Sequence, residues 1–203
     1  LGAENPQIVV LDADLSGSTQ THHFAKIFKD RFFNVGIAEQ DLMGTAAGLA
    51  LGGKIPFAST FAMFATGRAW EQIRQTIAYG NLNVKIVASH GGVTVGEDGG
   101  SHQAVEDLAL MRILPNMVVL APADGPETRA MTRWAASYRG PVYLRTGRLA
   151  VPVIYDDTYV FELGRGSRLR EGGDVTLMGI GIMVQTCLEA AAGLAQEGIE
   201  ARV

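Results

Sequence analysis

One cysteine in 203 residues, Cys187, excludes an internal disulfide framework, and the cytoplasm is the compartment such cysteine usage fits. Charge is sparse too. Charged residues make up 19% of the chain and the net charge is -4, so there is no basic surplus to hold a nucleic-acid backbone, and an anionic ligand would need local positive groups. Long apolar runs are missing: the best of them, VTLMGIGIMV at 175–184, is short and broken by glycines, so no membrane partner is expected. No internal repeat or low-complexity tract is visible. The chain starts at Leu1 without a starting Met or a signal-like stretch, which reads as a trimmed or processed start.

What is present is a core, with 47% apolar residues. Runs rich in Val, Ile and Phe at 7–14, 31–36, 56–60, 83–89, 116–124 and 141–145 alternate with helical stretches. That alternation predicts an α/β fold with a parallel six-stranded sheet and helices on both faces. Trp70, Ile73 and Ile77 recur at helical spacing in GRAWEQIRQTIAYG. In SHQAVEDLALMRIL, Val105, Leu108 and Leu114 form a candidate buried stripe. The strongest start signal is ADGPETRAMTRWAASYRG, where Asp124 can cap, Pro126 falls in the first turn, Glu127 completes a capping box and Gly140 follows the far end. Residues 1–150 are therefore read as one domain and 151–165, without helical period, as a connecting segment. Residues 166–203 read as strand, glycine turn, helix ending at Gly198 and strand, the opening of a second α/β domain that stops before closing a core.

Three stretches fall where strands end and loops begin, the place where open α/β sheets gather ligands. They are the region around Glu39 in FFNVGIAEQDLMGTAAG, the aromatic stretch STFAMFATGRAW, and the glycine-rich SHGGVTVGEDGGSHQ. Each has a bland reading. Glu39 is equally a solvated first-turn acid answering the helix dipole. Phe61 and Phe64 are equally core, His90 and His102 equally surface loop residues, and Asp98 equally a turn former. His22 and His23 stand in a polar patch and read as surface. The joint occurrence of the three stretches is what favours a site.

Taken together, FFNVGIAEQDLMGTAAGLALGGKIPFASTFAMF, SHGGVTVGEDGGSHQAVEDLALMR and VYLRTGR resemble the pyrimidine-binding domain of the transketolases, thiamine-diphosphate enzymes, and the segment from about 166 resembles the start of the family's C-terminal domain. Nothing resembles the family's diphosphate-binding domain. The resemblance therefore implies the C-terminal half of a split transketolase or a fragment of a longer one, with an N-terminal diphosphate-binding subunit or domain as partner, in a homodimer or heterotetramer. It also implies that Mg2+ or Ca2+ is held by that domain, with no metal ligated by this chain.

The same resemblance assigns Glu39 to the ring nitrogen of the cofactor's aminopyrimidine. Burial among apolar residues would favour its neutral form and let it share a proton there. Phe61 and Phe64 match the aromatic pocket, and His102 lies near the cofactor. The family's microbial pattern often has a further aromatic where this chain has Gly67, so the pocket is either more open or filled by an adjacent residue. His90, Asp98 and His102 match the substrate channel, with His90 and His102 as the proton-moving groups. Ser18 and Arg148 match contacts to a sugar phosphate, Arg145 being the nearby competitor whose bland role is a strand-end surface charge. The implied reaction is transfer of a two-carbon ketol unit from a ketose phosphate to an aldose phosphate, as in the pentose phosphate pathway. The rivals are a 1-deoxyxylulose-5-phosphate synthase-like enzyme, a 2-oxoacid dehydrogenase β-subunit-like enzyme, and a non-catalytic half that binds and regulates a partner.

Overall fold

A computed structural model describes residues 1–203. The chain forms two compact units, one of Leu1–Leu120 with Thr132–Leu149 and the other of Ala121–Met131 with Ala150–Val203. No helix is long and apolar enough to cross a membrane.

In the first unit, six strands lie in one parallel sheet: β1 (Ile8–Asp12), β2 (Phe32–Asn34), β3 (Ile55–Phe61), β4 (Lys85–Ser89), β5 (Val118–Leu120) and β6 (Val142–Arg145). Their order is β2-β1-β3-β4-β6-β5, and every pairing is parallel. All six expected strands are present. β1 is buried along its whole length, as a strand covered on both faces must be. Its alternation sorts the core. Val9 and Leu11 join Ala58, Ile86, Ala88 and Tyr143 on one face, whereas Ile8 and Val10 join Phe57 on the other, against Phe24 and Ala136.

The first face is covered by α3 (Glu39–Leu51), whose Leu42, Met43, Ala46 and Ala47 are buried, and by the segment running from Phe64 to Ala78. The second carries α2 (His22–Ile27), which follows the short α1 (Ser16–Thr19), and the later turns of α6 (Gly125–Ser137). In the middle of the sheet, Lys85 is buried at the start of β4. Burial pushes its ammonium down to about 7, but Asn83 Oδ1, the Tyr138 carbonyl and the Gly140 carbonyl accept from Nζ at 2.7, 2.8 and 2.7 Å. Three acceptors match the three donors of an ammonium, and they hold the charge.

Two expected helices are altered. The GRAWEQIRQTIAYG stretch keeps only one α-helical turn, α4 (Trp70–Gln72), between wide π-helical turns at Phe64–Arg68 and Ile73–Ala78. Ile73 and Ile77 are fully buried as their spacing predicts. SHQAVEDLALMRIL contracts to α5 (Asp107–Arg112), and Val105 is 61% exposed rather than part of a buried stripe. The cause lies upstream: the Gly92 N–H donates to the Ala104 carbonyl at 2.7 Å, and Gly91 forms a parallel bridge with Ala104. Those contacts keep the chain extended past the point where the helix was expected to begin.

In the second unit, the Glu127 N–H donates to Asp124 Oδ1 at 2.9 Å, while Glu127 Oε2 accepts from the Ala123 N–H at 2.7 Å. The expected capping box thus closes one residue earlier. Asp124 Oδ2 takes the N–H groups of Ile154 and Tyr155, and Glu127 Oε1 takes the Tyr159 hydroxyl at 2.8 Å. Residues 121–131 therefore group with 150–203. Further on, β7 (Val175–Thr176) pairs in parallel with β8 (Ala201–Arg202) across α7 (Met183–Gln196). Gly198, at φ +80°, ends that helix in the left-handed conformation glycine tolerates.

Candidate active site

β2 leads through Gly36, at φ +77°, into the first turn of α3, so Glu39 enters the protein at a helix N-terminus. Its side chain is 1% exposed. The carboxylate is not the unpaired charge that its apolar neighbours suggest: Arg68 Nη1 donates to Glu39 Oε2 at 2.8 Å. That is a correction to the expected surroundings, and its physical reason is the cost of burying a carboxylate without a partner. Arg68 supplies this group's one hydrogen bond and leaves Oε1 without one.

At the C-terminal end of β3, Phe61 is buried and Phe64 half-buried. Their rings stack with centroids 5.8 Å apart. His90 stacks on Phe61 at 3.8 Å, and His102 meets Phe64 edge-on at 5.2 Å and Phe61 at 6.3 Å. Arg68 lies over the Phe64 ring at 4.5 Å. The structure thus gathers Glu39, Phe61, Phe64, His90 and His102 in one place. Gly67 is exposed, and of the two alternatives its neighbour Arg68 covers the adjacent aromatic face.

His90 has φ +60°, a strained conformation for a side-chain-bearing residue. Its pKa is lowered, first by burial and then by the Arg148 charge, with Asp98 opposing. The neutral ring therefore persists to lower pH than usual, with Nδ1 2.9 Å from Ser89 Oγ. His102 Nδ1 is likewise 2.9 Å from Ser101 Oγ. Asp98 is exposed on the glycine-rich loop. Arg148 is one-third exposed and reaches back to that loop, donating to Glu97 Oε1 at 2.9 Å and to the Val95 carbonyl.

Arg145 is not a surface charge. It is 17% exposed, and its Nε donates to Asp107 Oδ2 at 3.0 Å, an oxygen that also accepts from the Tyr143 hydroxyl at 2.8 Å. Its side chain fills the space beside Gly91, where an added Cβ would fall 2.3 Å from Nε. Gly91→Ala is accordingly expected to push Arg145 off Asp107 and shift the His90 loop. Loss of the Phe61–His90 ring contact, read from the His90 ring proton shifts, would register it; unchanged shifts would contradict it.

Ser18 is exposed on α1. Its turn is held by Asp12, which is buried and accepts from the Leu15 N–H and the Thr19 and Thr21 hydroxyls. Nearby, His22 is half-buried and bonded to the Ser16 carbonyl, while His23 is exposed and bonded to Gln20.

Sequence reasoning missed Arg68, Asp107 and Tyr143. Arg68 was findable in principle as the lone charge in STFAMFATGRAW, since a buried acid nearby requires a cation.

The cluster fits an aminopyrimidine: a buried carboxylate with one oxygen lacking a hydrogen bond beside flat rings that can stack on a heterocycle. No group of His, Cys, Asp or Glu is arranged to hold a metal ion.

Residues 1–153 match the transketolase pyrimidine binding domain, and residues 164–203 match the transketolase C-terminal domain. Relatives include a putative transketolase C-terminal section of Methanocaldococcus jannaschii, 54% identical over the whole of this chain and 65% of that protein. Another is a 6-deoxy-6-sulfo-D-fructose transketolase subunit of a Clostridium species, 42% identical over 98% of this chain and 62% of that one. Among solved structures, a split gene transketolase described as an inactive beta4 tetramer matches with a TM-score of 0.92 and 61% identity, covering 100% of this chain and 66% of the other. The chain thus spans about two thirds of the length of these relatives. With most of its length in one domain of the family and the remainder in another, the chain belongs to the transketolase family.

Proposed function

We propose that this chain is the C-terminal section of a split transketolase and contributes the pyrimidine half of a thiamine-diphosphate site. The observation that carries this reading is the convergence of a buried carboxylate, two stacked phenylalanines and two histidines at the strand ends. Thiamine diphosphate, when bound, supplies the carbon nucleophile that accepts a two-carbon ketol unit from a ketose phosphate and passes it to an aldose phosphate. Glu39 holds and shares the proton of the aminopyrimidine ring nitrogen through the oxygen that Arg68 leaves unpaired. Phe61 and Phe64 stack on the ring and exclude water.

His90, kept neutral, and His102 hydrogen-bond sugar oxygens and relay protons, while Asp98 accepts from a sugar hydroxyl. Arg148 and Ser18 take the sugar phosphate, the first through its guanidinium fork. Arg145 is committed to Asp107 and leaves this task to Arg148.

Residues 1–150 serve as the pyrimidine-binding domain, 151–165 as linker and 166–203 as the opening of the C-terminal domain. The diphosphate and its Mg2+ or Ca2+ belong to an N-terminal partner, in a cytoplasmic dimer or heterotetramer of the pentose phosphate pathway. The description of a similar split-gene chain as an inactive beta4 tetramer supports the need for that partner.

Mixing this chain with a diphosphate-binding subunit is expected to produce ketol transfer from xylulose 5-phosphate and none from pyruvate, with the chain alone inert. Turnover by the chain alone, or consumption of pyruvate instead, would replace this reading.

A further inference from the structure

Arg68 stands at the intersection of the two features that make the site. Its Nη1 pairs with the buried Glu39 carboxylate at 2.8 Å, and its guanidinium carbon lies 4.5 Å from the centre of the Phe64 ring. The backbone is built to place it there. Phe64–Arg68 is a π-helical turn, closed by the Ala69 N–H donating to the Phe64 carbonyl at 3.3 Å. The Arg68 carbonyl in turn accepts from Gln40 Nε2 at 3.2 Å, so the turn is tied to the residue following Glu39. π-turns are uncommon and are frequent at functional sites.

An ordinary surface arginine would be free to leave. This one is half exposed and still holds two partners. The planar guanidinium suits both: its edge donates to a carboxylate and its face stacks on an aromatic ring, which an ammonium cannot reproduce. With Arg68 bonded to Oε2, Oε1 is the atom that remains to meet a ligand.

We propose that Arg68 is a positioning residue that fixes the Glu39 carboxylate in register with the aromatic pocket, so that Oε1 faces the cofactor's ring nitrogen. This deepens the proposed function and rests on it. Without the arginine, the carboxylate is expected to sample other rotamers and present its free oxygen in the right place only part of the time.

The test is a double-mutant cycle in the assembled enzyme, comparing Arg68→Met, Glu39→Gln and the double variant. Arg68→Met is expected to lower kcat by about 10- to 100-fold, the usual cost of a small misplacement of a reacting group, with the KM for the ketose within a few-fold of its original value. In the Glu39→Gln background the same substitution should cost less than about twofold, because a residue acting through Glu39 has nothing left to position.

Equal losses in both backgrounds would overturn the proposal, and so would an Arg68→Met enzyme within about twofold of the parent. If Arg68→Met does not assemble, Arg68→Lys carries the same cycle, since it keeps the charge but loses the fork and the stacking face. Full turnover by Glu39→Gln alone would instead remove the thiamine reading itself, which keeps the two failures apart.

Discussion

Replacing Glu39 by Gln in the assembled enzyme is expected to reduce ketol transfer by about 10²- to 10⁴-fold, the range of a lost proton-transfer group, while the fold stays intact. The amide has nearly the shape of the carboxylate, and its oxygen can still accept from Arg68, so the buried position keeps its packing and one hydrogen bond. It cannot take up and return a proton. Arg68 is half exposed and can hydrate once its countercharge is gone, so little stability is at stake there. Steady-state turnover and a thermal melt on the same preparation separate the outcomes. Turnover within a few-fold of the parent would dismiss proton sharing, and a collapsed melt would make Glu39 a structural residue.

Asp107→Ala is the second large effect, and it falls on stability. Asp107 is 1% exposed and one of its oxygens accepts from both the Tyr143 hydroxyl and Arg145 Nε. Removing it strands a buried hydroxyl whose pKa already stands well above the ordinary value, chiefly through burial, and a guanidinium that is mostly out of water. Breaking a buried pair from one side costs about 3–5 kcal/mol. Because Arg145 also fills the space beside Gly91, the histidine loop should loosen together with the sheet. A drop in the urea midpoint, accompanied by faster amide exchange at residues 90–92, is the expected reading. An unfolding free energy unchanged within about 1 kcal/mol would show the network to be dispensable. Asp107→Asn, which keeps an acceptor, should cost less.

Much of the fold was legible because parallel strands buried on both faces leave unbroken Val, Ile and Phe runs, and all six were placed on that signal alone. The glutamate, the phenylalanines and the histidines were legible as candidates because each follows such a run, where the topology gathers loops. Their partners were harder to see. Arg68, which reaches Glu39, is the last residue of a π-turn, and a hydrophobic pattern read at 3.6 residues per turn carries no mark of one extra residue. Asp107 resembles any first-turn acid, and its hydroxyl and guanidinium partners lie 36 and 38 positions away. Val105 kept helical spacing yet lies outside, since a backbone bond at Ala104 delays the helix. Long-range pairing decided these cases, and local pattern does not encode it.

The wide turn at Phe64–Arg68 makes the site sensitive to chain length in a way that ordinary substitutions do not probe. Losing a single codon there would let the wide turn close as an ordinary i→i+4 turn, leaving Ile73 and Ile77 facing the interior and shortening the Phe64-to-Arg68 spacing by one residue. The stacking of the guanidinium on the Phe64 ring depends on that spacing.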